Sequence, residues 1–269
     1  MLTINSKILA CILSLSLLSG CTHFTKHDAN PIPPANRLIV FTSHKPEVYA
    51  PIIKEFELRT GISVEVQAGG TTEMLEKIKN GEDADVMFGG DVQNYTYYQD
   101  YIEPYVASES SSLDFRYLEQ HDNYTLFSQL PLVFIYNNKL VNSQRAPQKW
   151  SDFCDESWKG KISFADPHTS GTSISILNAF MTLNDPTYID KFYQQLDVAS
   201  GSGEVIREVS TGTRLIGITL EETAKKAMLT DSNITMVYPD YLFVISDGSF
   251  LVKNAKNKDN AQKFIDFTI

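Results

Sequence analysis

The sequence predicts an α/β fold of two lobes, each a mostly parallel sheet flanked by helices. Three observations predict it. Between Leu38 and Phe88, short apolar runs alternate with helically spaced segments in the order β-α-β-α-β, which calls for parallel strands and right-handed crossovers. A second alternation of the same kind begins at Lys161. Between them, Leu126–Tyr136 is a long apolar, β-rich stretch suited to crossing from one lobe to the other. The chain has 269 residues, 42% hydrophobic and 21% charged, enough to bury a real core and unlike a disordered chain.

Leu38–Phe41 reads as a buried strand. Pro46 suits the first turn of a helix, where Val48, Tyr49, Ile52, Ile53 and Phe56 recur at helical spacing until Gly61 stops it. Ile62–Gln67 alternates as a strand. Thr71 is expected to cap a second helix carrying Met74, Leu75 and Ile78, ended by Gly81. Ala84–Phe88 is a third strand, and Gly89-Gly90-Asp91 opens a Tyr-rich helical stretch from Val92 to about Tyr101. Beyond the crossing segment, Trp150–Trp158 reads as helix or loop, Lys161–Ala165 as strand, and Thr172–Leu183, Pro186–Leu196 and Ser202–Thr211 as helices. Leu215–Thr219 and Ile234–Tyr238 are strands around a helix at Leu220–Leu229; Ser249–Lys253 is a last strand and Asp259–Phe267 a last helix.

The chain start carries an address. Lys7 is followed by the uncharged apolar run Ile8–Leu18, too short to span a bilayer, and Leu18-Ser19-Gly20-Cys21 resembles a bacterial lipobox. Residues 1–20 are therefore expected to be a lipoprotein signal peptide, with Cys21 lipidated (palmitate among its acyl chains) and anchoring the protein to the cell membrane on its extracytoplasmic, periplasmic side. Several acyl chains on one residue hold firmly where a single chain does not. Residues 21–36, with Pro31, Pro33 and Pro34, read as a semi-rigid tether. Lobe 1 is expected to comprise 37–127 and 239–269, and lobe 2 to comprise 128–238.

A net charge of −10 with no basic stripe disfavours nucleic acid. It leaves room for a small anionic ligand, because backbone dipoles act locally. Of three cysteines, Cys11 lies in the signal and Cys21 takes the lipid, so Cys154 stands alone as a packed thiol and no disulfide framework exists. There is no Gly-x-Ser-x-Gly elbow, no phosphate-binding Gly-x-x-x-x-Gly-Lys-Ser/Thr loop and no closely spaced His/Cys cluster. No catalytic residue, metal site or cofactor follows from the sequence. Tyr97-Tyr98 lies in an aromatic stretch and reads as packing.

Ligands of open α/β sheets sit beyond the carboxyl ends of the strands, at helix starts. The loops that fall there are rich in glycine and hydroxyls. They contribute Ser43 and His44, Gly70 and Thr71, Gly90 and Asp91, Ser170, Gly171, Thr172 and Ser173, then Gly201, Ser202 and Gly203. Free N–H groups and the dipole at such ends favour an anion. Each loop alone is also an ordinary helix cap, as His168 in Pro-His-Thr is an ordinary turn residue. The binding reading depends on several loops converging. Glu221 and Glu222 open a helix and suit the dipole or ligand hydroxyls.

Phe56–Gly61 (FELRTG), Ala84–Gly90 (ADVMFGG), Trp158–Gly171 (WKGKISFADPHTSG), Leu220–Ala224 (LEETA) and Lys253–Phe267 (KNAKNKDNAQKFIDF), in this order, resemble type 2 periplasmic solute-binding proteins of ABC importers. The closest branch is the one labelled iron(III)-binding, which also holds binders of hexose phosphates and aminoalkyl phosphonates. The resemblance implies two lobes joined by crossing strands, a ligand clamped in the cleft, and delivery to an ABC permease and its ATPase by a monomeric, non-enzymatic receptor. Ferric members hold iron with consecutive tyrosines late in the second lobe. Leu220–Thr223 here has two Glu and no Tyr, which resembles the sugar-phosphate binders. Relatives continue for several helical turns beyond Ile269, so a truncated carboxyl end is expected. The expected ligand is a small phosphorylated organic anion, with the phosphate on Ser170–Ser173 and Gly201–Gly203 and with Ser43 and His44 closing from lobe 1. The alternatives are a ferric-iron receptor using His44, Glu221 or Glu222 and a tyrosine, a lipid-anchored phosphohydrolase, and a degraded lipoprotein that binds nothing.

Overall fold

A computed structural model describes residues 36–112, 122–183 and 187–269. The signal segment, Cys21 and the proline-rich tether up to Pro34 lie outside the described residues. Among those described, no helix is long and apolar enough to cross a membrane.

The first alternation gives β1 (Arg37–Thr42), α1 (Pro46–Thr60), β2 (Ser63–Ala68), α2 (Thr71–Lys79) and β3 (Val86–Asp91). α1 starts on Pro46 and ends on Gly61, which is in the left-handed region with φ 70°. The N-cap of α2 is Gly70, and Thr71 is already helical, correcting the expected cap by one residue. β3 runs three residues beyond the apolar stretch, through Gly89 and Gly90 to Asp91, whose carboxylate caps the short α3 (Val92–Tyr95). A 3₁₀ turn, Thr96–Tyr101, replaces the rest of the expected helix and leads to β4 (Ile102–Glu103).

β5 (Thr125–Asn137) is the long crossing strand. Two 3₁₀ turns, Trp150–Cys154 and Glu156–Trp158, precede β6 (Ile162–Ala165). Then come α4 (Gly171–Leu183), α5 (Thr187–Gln195), β7 (Leu196–Ala199), α6 (Ser202–Thr211), β8 (Ile216–Leu220), α7 (Glu221–Thr230), β9 (Ile234–Val237), β10 (Val244–Val252) and α8 (Lys258–Phe267). β7 is missing from the sequence reading, because its central residues, Asp197 and Val198, are exposed at a sheet edge and give no apolar run.

The strands join in the order β2-β1-β3-β10-β5-β8-β6-β7, with β4 on β10 and β9 on β5. Parallel pairs occur in two blocks, β1 with β2 and β3, and β6 with β7 and β8. β10 and β5 run antiparallel between the blocks, from Val244 opposite Pro131 to Ser249 opposite Thr125. β10 has to bulge at Asp247 and Gly248 to serve β3 on one edge and β5 on the other.

Side-chain alternation builds a core on each face of each block. Ile39 and Phe41 of β1 join Met87 and Phe250 on one face; Leu38 and Val40 join Val86, Phe88 and Phe264 on the other. In the second block, Leu132, Phe134, Phe153, Phe164 and Phe180 pack together, while Val133 and Ile135 face Val205, Val209 and Ala224. Phe134 is 1% exposed, its ring 5.2 Å from Trp150 and 4.7 Å from Phe153. Removing that ring from a crossing strand forfeits its burial and leaves a cavity. Phe134→Ala is expected to lower the urea unfolding free energy by about 3–5 kcal/mol without changing the far-ultraviolet spectrum of the surviving native state.

Candidate functional site

The carboxyl ends of β1, β2 and β3 and the starts of α4, α6 and α7 border one cavity of about 410 Å³. It is lined by Ser43, His44, Lys45, Gly70, Thr71, Gly90, Asp91, Ser170, Gly171, Thr172, Ser202 and Glu222, which come from loops, helix starts and the carboxyl end of β3. Phe88, Phe127, Ser128, Thr219, Ile245 and Asp247 come from strands, several of them from the two that cross. Ser173, Gly201, Gly203 and Glu221 do not line it.

Local chemistry explains these placements. Thr42 Oγ donates to the Phe88 carbonyl at 2.7 Å and accepts the His44 N–H at 3.1 Å, so β3 fixes where the β1–α1 loop turns. The His44 ring lies 5.0 Å from the Phe88 ring and 5.9 Å from that of Phe127. A Cβ on Gly89, which has φ 94°, would approach the His44 ring to 2.5 Å, so glycine is required there twice over. A Cβ on Gly70 would fall 1.7 Å from the Thr169 carbonyl oxygen, so the β2–α2 loop meets the β6–α4 loop backbone to backbone. Asp166 shapes that second loop. Its carboxylate accepts the His168 N–H at 2.9 Å, which holds it below the usual range, and its carbonyl accepts the Ser170 N–H at 2.8 Å. His168 itself is exposed and outside the cavity.

The helix starts facing the cavity are short of side-chain caps. α1, α2, α6 and α7 have none, so the first-turn N–H groups are not claimed by their own N-cap side chains. Ser170 Oγ lies 3.1 Å from Ser202 Oγ, which joins the starts of α4 and α6. Ser173 hydrogen-bonds back through its N–H to Ser170 Oγ at 3.4 Å, and its own hydroxyl is buried away from the cavity. Glu221 is engaged elsewhere: Lys225 and Tyr238 hold its carboxyl below the usual range, leaving Glu222 as the member of the pair on the cavity.

Two carboxylates line the cavity from buried positions, one of them, Asp91, a candidate from the sequence and the other not. Asp91, read as a helix-start residue, is 5% exposed; it accepts the Gln93 N–H at 3.0 Å and the hydroxyl of Ser175 on α4. Asp247 is fully buried and was not anticipated. It accepts the Gly90 N–H and the Ser128 hydroxyl, the latter at 3.2 Å, and lies 3.2 Å from His44 Nε2, out of line for a hydrogen bond. The Gly90 N–H, expected to serve a ligand, is thus engaged by Asp247. An Asp in a bulged Ser-Asp-Gly of an otherwise apolar strand was the available signal.

Burial raises the Asp91 carboxyl above the usual aspartate range, and Asp247 adds to the rise. Tyr95 is raised too, first by burial and then by the same two carboxylates; its hydroxyl donates to the Gly248 carbonyl at 2.8 Å and the Gly89 carbonyl at 3.1 Å. The sign for Asp91 follows from linkage. The native state holds this proton more tightly than the unfolded chain, so its contribution is greatest at low pH and is lost as pH rises from the ordinary 3.8 through the elevated native value. Asp91→Asn is expected to remove that fall from a plot of urea unfolding free energy against pH, a comparison that isolates this residue from the other carboxyls.

Residues 39–268 match the model of a family described as bacterial extracellular solute-binding protein. An uncharacterized protein of Haemophilus influenzae is 25% identical over 217 residues, which cover 75% of this chain. The match spans 63% of the length of that curated relative. Three solved structures share the fold. The periplasmic binding protein P5PA has a TM-score of 0.78 at 23% identity, over 87% of this chain and 79% of its own. AfuA from Actinobacillus pleuropneumoniae, solved with fructose-6-phosphate, has a TM-score of 0.77 at 21% identity, over 86% and 78%. Iron-bound HitA from Pseudomonas aeruginosa has a TM-score of 0.73 at 20% identity, over 86% and 80%.

Proposed function

The chain belongs to the bacterial extracellular solute-binding proteins, and from that premise we propose that it is the lipid-anchored, extracytoplasmic substrate-binding component of an ABC importer. Its ligand is a small phosphorylated organic anion, such as a hexose phosphate or a phosphonate. One observation carries the choice of ligand: hydroxyl- and N–H-bearing starts of α2, α4 and α6 border the same cavity as Ser43 and His44. Such ends concentrate donors and positive potential on one spot, which is how proteins hold phosphate without a basic side chain.

In this reading Ser170, Gly171, Thr172 and Ser202 take the phosphate, with Thr71, Ser43 and His44 on the facing wall. Ser173, Gly201 and Gly203 support those positions from behind. Glu222, at the exposed rim, accepts ligand hydroxyls. Residues 37–127 with 239–269, and 128–238, are the two lobes that close on the ligand, joined through β5 and β10. The ligand then passes to a permease and ATPase, and the receptor works as a monomer tethered through Cys21. The role is binding rather than catalysis. Ser170 and Ser202 face one another and not a general base, which supplies no activated nucleophile to a hydrolase. The alternative ligand is a ferric ion held by His44, Glu221 or Glu222 and a tyrosine. Among the described residues, no group of three or more His, Cys, Asp or Glu gathers so as to hold a metal ion.

Titration calorimetry with glucose 6-phosphate, 2-aminoethylphosphonate and ferric citrate tests the reading. Heat of binding with at least one organic anion is expected. Ser170→Ala is expected to weaken that binding by about 1.5–3 kcal/mol, the usual worth of a hydrogen bond to a charged group. Heat from ferric citrate alone, or from none of the three, contradicts it.

A further inference from the structure

The two proposed lobes touch at the edge of the cavity along a seam of loop and helix-start residues. Gly70, at the start of α2, abuts the Thr169 carbonyl, whose oxygen is 1.7 Å from where a Cβ would lie. Gly171, the first residue of α4, abuts Thr71 and Asn94, with Asn94 Nδ2 3.0 Å from the corresponding Cβ position. Ser175, one turn further along α4, donates to Asp91. On the exposed side, Lys226 of α7 pairs with Glu47 of α1. The last two contacts favour the closed arrangement, and Asn94 opposes it. Asn94 is 2% exposed, and neither its amide oxygen nor its amide nitrogen has a hydrogen-bond partner. It does not cap α3, whose cap is Asp91, and it does not line the cavity. An amide buried without partners loses the hydrogen bonds it makes in water.

We propose that Asn94 is a positioning residue that sets ligand affinity without touching the ligand, by holding the lobes ajar until a ligand bridges them. The inference rests on the two-lobe binding reading above and adds the element that resists closure. α3 packs on α4, and separating them opens the Asn94 amide to water, which restores its hydrogen bonds. A ligand that touches both lobes binds only the closed arrangement, so its apparent affinity falls with the closed fraction. The unpaired amide lowers that fraction; the contacts of Ser175 and Lys226 raise it. Gly70 lets the seam form. Its backbone, at φ −70° and ψ 151°, suits any residue, so the need for glycine comes from the Thr169 carbonyl across the seam and not from its own loop.

Small-angle scattering and calorimetry with glucose 6-phosphate, on the wild type and three variants, decide it. Asn94→Leu keeps nearly the same volume and removes the polar atoms. Its ligand-free radius of gyration is expected to fall below that of the ligand-free wild type, and its affinity for the probe to rise about threefold or more. Asn94→Ala, which asks less of the packing, is expected to move both in the same direction. Gly70→Ala is expected to do the reverse. It keeps the open radius in saturating probe and weakens binding about tenfold or more, with an unchanged far-ultraviolet spectrum. A merely structural role for Asn94 changes the unfolding free energy and leaves radius and affinity where they were. Asn94 variants that neither contract nor bind more tightly overturn the proposal, as does a Gly70→Ala protein that contracts with the probe as the wild type does. If glucose 6-phosphate binds none of the proteins, the binding reading fails, and contraction of the ligand-free Asn94 variants alone upholds or overturns this one.

Discussion

Two antiparallel strands, β5 and β10, are shared by the parallel blocks on either side, and the geometry of the cavity depends on that sharing. A strand that ends in one core and begins in another has to be apolar on both faces and continuous through the middle. Leu132–Ile135 meets the first demand, packing alternately into two cores. The middle, around Ser128 and Asp247, is polar and belongs to the cavity. The parallel block on each side then points its strand ends at that polar middle, as open α/β sheets do. Helix starts from both blocks meet at that middle.

Asp247 binds this arrangement together. It sits at the bulge of β10, receives the N–H of Gly90 at the end of β3, and reaches Ser128 on β5 and His44 on the β1–α1 loop. Four segments therefore share one buried carboxylate. Breaking such a node by removing one partner costs more than the node contributes when intact, because the remaining groups stay buried. Positive-φ glycines at 89 and 90 belong to the same device, since they bring backbone within reach of His44 and Asp247. A second seam runs through Asp91 and Ser175, where a helix cap from one core accepts a hydroxyl from a helix of the other.

Much of this was legible in the chain. Apolar runs located β1, β3 and β6, because buried parallel strands need side chains for both faces, and alternation located β2 at the sheet edge. Loops rich in serine and glycine pointed to Ser43, Gly70, Ser170 and Ser202, which line the cavity because strand-to-helix turns have a fixed place in such folds. Other features left weaker traces. β7 is an exposed edge without an apolar run, and the first half of β10 hides behind Ser246, Asp247 and Gly248. Which of Glu221 and Glu222 faces the cavity depends on Tyr238, which is distant in sequence and claims the first. Ser173 and Ser170 look alike in a list of hydroxyls, but only the geometry of the first helical turn decides which faces outward. Asp247 left one local trace, a Ser-Asp-Gly that interrupts an apolar strand, but its partners come from three other segments and only the fold brings them together.

A crystal structure of the protein soaked with glucose 6-phosphate tests the central claim most directly. The account predicts density for the phosphate within hydrogen-bond distance of the N–H and hydroxyl groups of Ser170, Gly171, Thr172 and Ser202, with the rest of the ligand reaching toward His44 and Asp247. A phosphate bound on another face, or seated in this cavity on Lys45 with none of those four residues touching it, would contradict the claim.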